Sequence, residues 1–203
     1  MKVVLFDLGN VLIDNHFDRF YGMMSESCGC PPDYLQKELE NEIMIQLETG
    51  RMSMEEFISY CKQEFNLCWE KDVWAEKYAS SYSVNPEGNK IRNHLISKGV
   101  PVAILSNLAE YHVMAVQKGA PEVLKGNIKN FYSCEIGLHK PDTRIYEHVC
   151  SELKMKPSDI LFLDDRIENV RGAEQVGMKA VQFVPENHSK IWTLVHQISD
   201  RSL

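Results

Sequence analysis

The chain has 203 residues, enough for one α/β domain with a modest insertion. Its 44% hydrophobic and 25% charged content is ordinary for a globular protein, and no stretch approaches the ~20 apolar residues of a membrane span. A formal net charge of −7 argues against nonspecific nucleic-acid binding, which needs a basic surface.

Met1-Lys2 is followed by too short an apolar run for a signal peptide, so the chain reads as cytoplasmic. No two of Cys28, Cys30, Cys61, Cys68, Cys134 and Cys150 stand at Cys-x-x-Cys spacing, which fits free thiols in a reducing compartment. Nothing in the sequence calls for an obligate protein partner.

In chain order, the first element is a buried strand over Lys2–Phe6, ending on Asp7 and a turn at Leu8-Gly9-Asn10. From residue 15 to 84 the apolar spacing becomes helical. Phe17, Phe20, Met23 and Met24 form one stripe, Leu35, Leu39, Ile43 and Leu47 a second, and Phe57, Ile58, Cys61 and Phe65 a third. Gly22, Gly29-Cys30-Pro31-Pro32 and Gly50 punctuate them, and the segment has room for a four-helix subdomain. Trp69, Trp74, Tyr78 and Tyr82 are expected to pack it against the rest of the chain.

Strand and helix then alternate. Asn85-Pro86-Glu87 caps a helix that runs to Gly99. Strands follow at Val102–Leu105, Ile160–Leu163 and Ala180–Val184. Lys140-Pro141-Asp142 opens a helix through Ile145, Val149 and Leu153, and Ile167–Val176 forms another, closed by Gly177. The pattern predicts an α/β fold, a doubly wound parallel sheet with a helical insertion after its first strand. Residues 1–14 and 85–203 form the core and residues 15–84 the insertion.

Ligands of open α/β sheets bind beyond the carboxyl ends of the strands. Those ends carry Asp7, Ser106-Asn107 and Asp164-Asp165, and Lys140 opens the remaining crossover. An aspartate there can attack a phosphoester if cations offset the meeting of two anions. A magnesium ion on carboxylates, a lysine, a serine hydroxyl and backbone N–H groups supply what that attack needs. Asp7, Asp165, Lys140 and Ser106 match those needs. Each also has a structural reading: Asp7, Ser106 and the Asp164-Asp165 pair could cap turns or helices, and Lys140 could be an ordinary surface lysine. His112, His139, His148, His188 and His196 show no ligand spacing and read as ordinary.

The order FDLGNVL, ILSN, HKPD, FLDDRIEN resembles the four motifs of the haloacid dehalogenase-like hydrolases. The resemblance covers the whole chain and implies a Rossmann-like core with the insertion as a cap. FDLGNVLID and Glu48-Thr49-Gly50-Arg51-Met52-Ser53 are most similar to the bacterial α-D-glucose-1-phosphate phosphatase branch. It implies that Asp7 is the nucleophile and, with the Gly9 carbonyl and Asp165, a magnesium ligand. Asp164 and Asn169 support the site. Ser106 and the backbone around Asn107 hold phosphoryl oxygens, and Lys140 bridges Asp7 and the phosphate. The partner is then a small phosphorylated metabolite, with a sugar phosphate the expected class. Cap residues around Asn15, His16, Glu48 and Arg51 are expected to choose it.

One position departs from the pattern. Most phosphatases of this family carry a second aspartate two residues after the nucleophile, to protonate the leaving alcohol. Here that residue is Gly9. Asp14 and His16 are the nearest titratable substitutes. A substrate with a good leaving group would need no acid. The same glycine suits a 2-haloacid dehalogenase, which releases halide, or a phosphometabolite-binding module without catalysis.

Overall fold

The computed structural model describes residues 2–200. Seven strands run in chain order: β1 (Val3–Phe6), β2 (Ile13–Asn15), β3 (Tyr82–Val84), β4 (Val102–Ser106), β5 (Lys129–Tyr132), β6 (Ile160–Asp164) and β7 (Lys179–Gln182). The helices are α1 (Phe17–Cys28), α2 (Pro32–Leu39), α3 (Glu42–Glu48), α4 (Met54–Phe65), α5 (Lys71–Ala79), α6 (Pro86–Ser97), α7 (Glu110–Gly119), α8 (Ser133–Ile136), α9 (Thr143–Leu153), α10 (Ile167–Gln175) and α11 (His188–Ser199).

Five strands form one parallel sheet in the order β5-β4-β1-β6-β7. The central strands are continuous apolar runs because both faces are covered. Their side chains alternate between two cores. Val4, Phe6, Ile104 and Leu163 pack with Ile91, Leu95, Ile191 and Val195 of α6 and α11. Val3, Leu5, Ala103 and Phe162 pack with Ile145, Val149, Val170 and Ala173 of α9 and α10. Asn85 caps α6 by accepting from the Gly88 N–H at 2.8 Å.

The sheet differs from expectation at its margins. The edge strand β5 is additional; only Phe131 and Tyr132 of its four residues are buried, so it carries little of the apolar signal of a central strand. The last strand ends at Gln182, two residues before Val184, although the Phe183 N–H still donates to the Asp164 carbonyl at 2.8 Å. Lys140 lies in a loop, since Asp142 caps α9 and the helix begins at Thr143.

Five helices, one more than the spacing predicts, lie between β2 and β3, which pair antiparallel. Phe20, Met24, Leu35, Phe57, Cys61 and Trp74 form a separate apolar cluster. Tyr111 and Ala115 of α7 complete it, with the Tyr111 ring 5.5 Å from Trp74 and 5.9 Å from Tyr78. These helices therefore share their core with the sheet's own helix layer.

Candidate active site

Phe6 of β1 pairs with Ile104 of β4 and Leu163 of β6, which brings the carboxyl ends of the three strands side by side. Order reverses at β1, the place where such sheets bind ligands. Asp7 leaves β1 with its N–H bonded to the Leu163 carbonyl at 2.8 Å. One carboxylate oxygen, Oδ1, accepts from the Leu8 N–H at 2.7 Å and faces Lys140 Nζ at 2.9 Å.

Lys140 is 2% exposed and comes from the loop between α8 and α9. Its ammonium donates to Asp164 Oδ2 at 2.6 Å and to the Leu105 carbonyl at 3.1 Å. The Lys140–Pro141 peptide is cis. Gly172 of α10 lets this loop approach, because a Cβ there would lie 2.6 Å from the Pro141 carbonyl oxygen. Burial opposes the lysine's charge, but the Asp164 and Asp7 carboxylates outweigh it and raise its pKa above the usual value.

The adjacent acids of β6 divide their work. Asp164 is fully buried, and both its oxygens are engaged by Asn169 Nδ2, at 3.0 and 3.1 Å, while Oδ1 also accepts from the Arg166 N–H. Asp165 is half-exposed and holds Asn10 Nδ2 at 3.1 Å through Oδ2. An oxygen from each of Asp7, Asp164 and Asp165 lies within 4.8 Å of the others. Asp7 Oδ2 and Asp165 Oδ1 bond to no other described residue. Burial, then Asp164 and Asp165, push Asp7 up to about 7 against the pull of Lys140. Burial also raises Asp165. Two hard carboxylate donors with free oxygens, held in a strained concentration of negative charge, are the donor set that suits a magnesium ion.

Ser106 ends β4, 3% exposed, with a hydroxyl that finds no partner among the described residues. Asn107 has a side-chain role that the sequence does not show. Its side chain clamps the Lys140 loop, accepting from the Lys140 N–H at 2.9 Å and donating to the Lys140 carbonyl at 3.0 Å. Only its backbone N–H is left for a ligand.

These residues floor a cavity of about 620 Å³, with further walls from β2, α1, α3, α5 and α7. His139, which spacing alone marked as ordinary, lines it. Its Nδ1 accepts from Asn107 Nδ2 at 3.1 Å, which puts the ring proton on Nε2, 2.9 Å from Glu48 Oε2 at the end of α3. This contact joins the helical insertion to the sheet. Burial raises the Glu48 pKa, with His139 opposing. His112 also lines the cavity, but its Nδ1 accepts from the Ala109 N–H at 3.0 Å, and burial pushes its pKa down to about 3.

The two acids nominated to replace a residue at Gly9 do not reach the cavity. Asp14 accepts from Asn85 Nδ2 at 2.7 Å, and exposed His16 meets Ser83 Oγ at 3.1 Å. Arg51 likewise turns away, bonding Thr49 at 2.9 Å and facing Glu42. Asn15 and Glu48 do line it.

Among solved structures, the chain is similar to a HAD family enzyme of Bacteroides thetaiotaomicron, solved with magnesium and inorganic phosphate, with a TM-score of 0.76 at 22% identity over 90% of this chain and 93% of that one. In sequence it is similar to pig (Sus scrofa) bifunctional epoxide hydrolase 2, 21% identical over 89% of this chain, and it spans only 36% of that longer protein. It is 28% identical to enolase-phosphatase E1 of Aquifex aeolicus over 74% of its length, covering 66% of that protein. No helix among the described residues is long and apolar enough to cross a membrane. The haloacid dehalogenase-like hydrolase profile matches residues 1–177, which takes in all four motifs and the strand ends that carry them, and the chain belongs to that family.

Proposed function

We propose that the protein is a magnesium-dependent phosphatase of a small phosphorylated metabolite, a sugar phosphate of the α-D-glucose-1-phosphate type, and that α1 to α5 act as its cap. The observation that carries this reading is the gathering of Asp7, Asp164 and Asp165 around buried Lys140. A haloacid dehalogenase releases halide without a metal and has no need of a site that holds one. The magnesium-and-phosphate complex of the Bacteroides relative supports the same choice.

Asp7, Asp165 and the Gly9 carbonyl would hold the metal, with Asp164 and Asn169 supporting them. Bound there, magnesium would supply positive charge that offsets the phosphate and orients it. Asp7 Oδ2, free of protein partners, attacks phosphorus and forms an aspartyl phosphate as the bond to the ester oxygen breaks and the alcohol departs. Lys140 favours the ionised form of Asp7 through its Oδ1 contact and faces the phosphoryl group. The unpaired Ser106 hydroxyl and Asn107 N–H take phosphoryl oxygens. Water then attacks phosphorus, and the bond to Asp7 breaks to return the carboxylate. The Glu48–His139 contact closes the cavity over the ester and limits water.

Phosphate release from a panel of sugar phosphates, with magnesium and with excess chelator, tests the proposal. Magnesium-dependent release is expected. Halide release from a 2-haloacid, insensitive to chelator, would replace this reading with dehalogenation. Tight binding of a sugar phosphate without turnover would replace it with a binding role.

A further inference from the structure

We infer that Asn15 takes over at the leaving-group oxygen the place that an acid at Gly9 would fill, as a hydrogen-bond donor rather than a proton donor. A Cβ built on Gly9 would lie 2.9 Å from Asn15 Nδ2. The Asn15 amide thus stands where a side chain from position 9 would begin. Its orientation is fixed from behind. Asn15 Oδ1 accepts from the Tyr78 hydroxyl at 2.8 Å, and its backbone N–H donates to Asn10 Oδ1 at 3.2 Å. Tyr78 is itself 4% exposed, wedged against His112 with ring centroids 4.3 Å apart. The Nδ2 group has no partner among the described residues. It faces the cavity beside Gly9, and Asn15, Tyr78 and Asp7 all line that cavity.

The inference rests on the phosphatase reading and adds a catalytic residue to it. As Asp7 Oδ2 bonds to phosphorus, the phosphorus–oxygen bond to the leaving group breaks and its electron pair stays on that oxygen. An amide cannot give up a proton. Its N–H can stabilise the developing alkoxide, which takes its proton from solvent water. Tyr78 is a positioning residue, donating to the amide carbonyl and holding the N–H toward the ester. A donor of this kind suits leaving groups that depart with modest help, such as an anomeric oxygen, and serves primary alcohols poorly.

The test is the slope of log kcat/KM against leaving-group pKa, measured with magnesium on p-nitrophenyl phosphate, glucose 1-phosphate and a primary-alkyl phosphate. The Asn15→Ala loss is expected to grow from a few-fold on the nitrophenyl ester to on the order of 10²-fold on the alkyl ester. The line steepens. Tyr78→Phe, which keeps Asn15, should steepen it part of the way, and this variant decides the matter if Asn15→Ala does not fold. A uniform loss across the series, with the slope unchanged, would overturn the role of Asn15 while leaving the phosphatase reading standing. No phosphate from any ester would overturn both.

Discussion

The sheet and the helical insertion line one cavity by different means. At the sheet, function is a consequence of topology. The carboxyl ends of strands β1, β4 and β6 lie side by side, so the residues at those ends gather in one place. Asp7, Ser106 and Asp164 are buried there and held by backbone or by one another. In the insertion, Asn15, Glu48 and Tyr78 reach the cavity from the end of a short strand, a helix end and the last turn of a helix. Their positions depend on side-chain contacts such as Glu48 with His139 and Tyr78 with Asn15. The sheet thus supplies a fixed chemical floor, and the insertion supplies walls whose residues can change without disturbing it.

That contrast can be broken at several points. Substitution on the floor should remove turnover itself. Asp7→Asn is expected to lower kcat by at least on the order of 10⁴-fold while circular dichroism and thermal unfolding stay near wild type. Lys140→Met should cost stability as well as activity. It leaves the fully buried Asp164 carboxylate without its cation, a loss of about 3–5 kcal/mol in a denaturant titration. A wall substitution should act more gently. Glu48→Gln removes a charge-assisted contact to His139 and is expected to lower kcat/KM about tenfold, chiefly through KM. An equal loss in kcat would move Glu48 from the wall into the chemistry.

The smallest effect concerns His112, which lines the cavity but is read as structural. Its pKa falls from the usual 6.5 to about 3 in the folded chain because it is buried neutral. Below pH 6.5 the unfolded chain binds a proton that the folded chain refuses. Stability therefore drops as pH falls from 6.5 toward 3, by up to about 1.4 kcal/mol per pH unit from this group. His112→Gln should lose that share of the slope in chemical unfolding measured across this range. An unchanged slope would mean that the imidazole is not held neutral.

Legibility in the sequence follows the same division. The runs VVLF and ILFLD are visible because both faces of a central parallel strand are buried, and the strand ends then point to the candidate site residues. The edge strand β5 escaped because exposed Lys129 and half-buried Asn130 interrupt that signal. Asn107 was legible as a site residue, but not its clamp on the Lys140 loop, since the two stand 33 residues apart. His139 shows no spacing partner because its partner, Glu48, is 91 residues away. The departure at Gly9 is plain in the sequence, and the substitutes that the sequence offers are its titratable neighbours Asp14 and His16. The structure puts an amide beside that glycine, and a motif search for acids passes over it.

The most direct measurement is phosphate release from sugar phosphates by the wild-type chain and by Asp7→Asn, each with magnesium and with excess chelator. Release by the wild type alone, abolished by the chelator, is the expected result. Release that survives either the chelator or the loss of the Asp7 carboxylate would contradict a reaction centred on Asp7 and a metal held beside it.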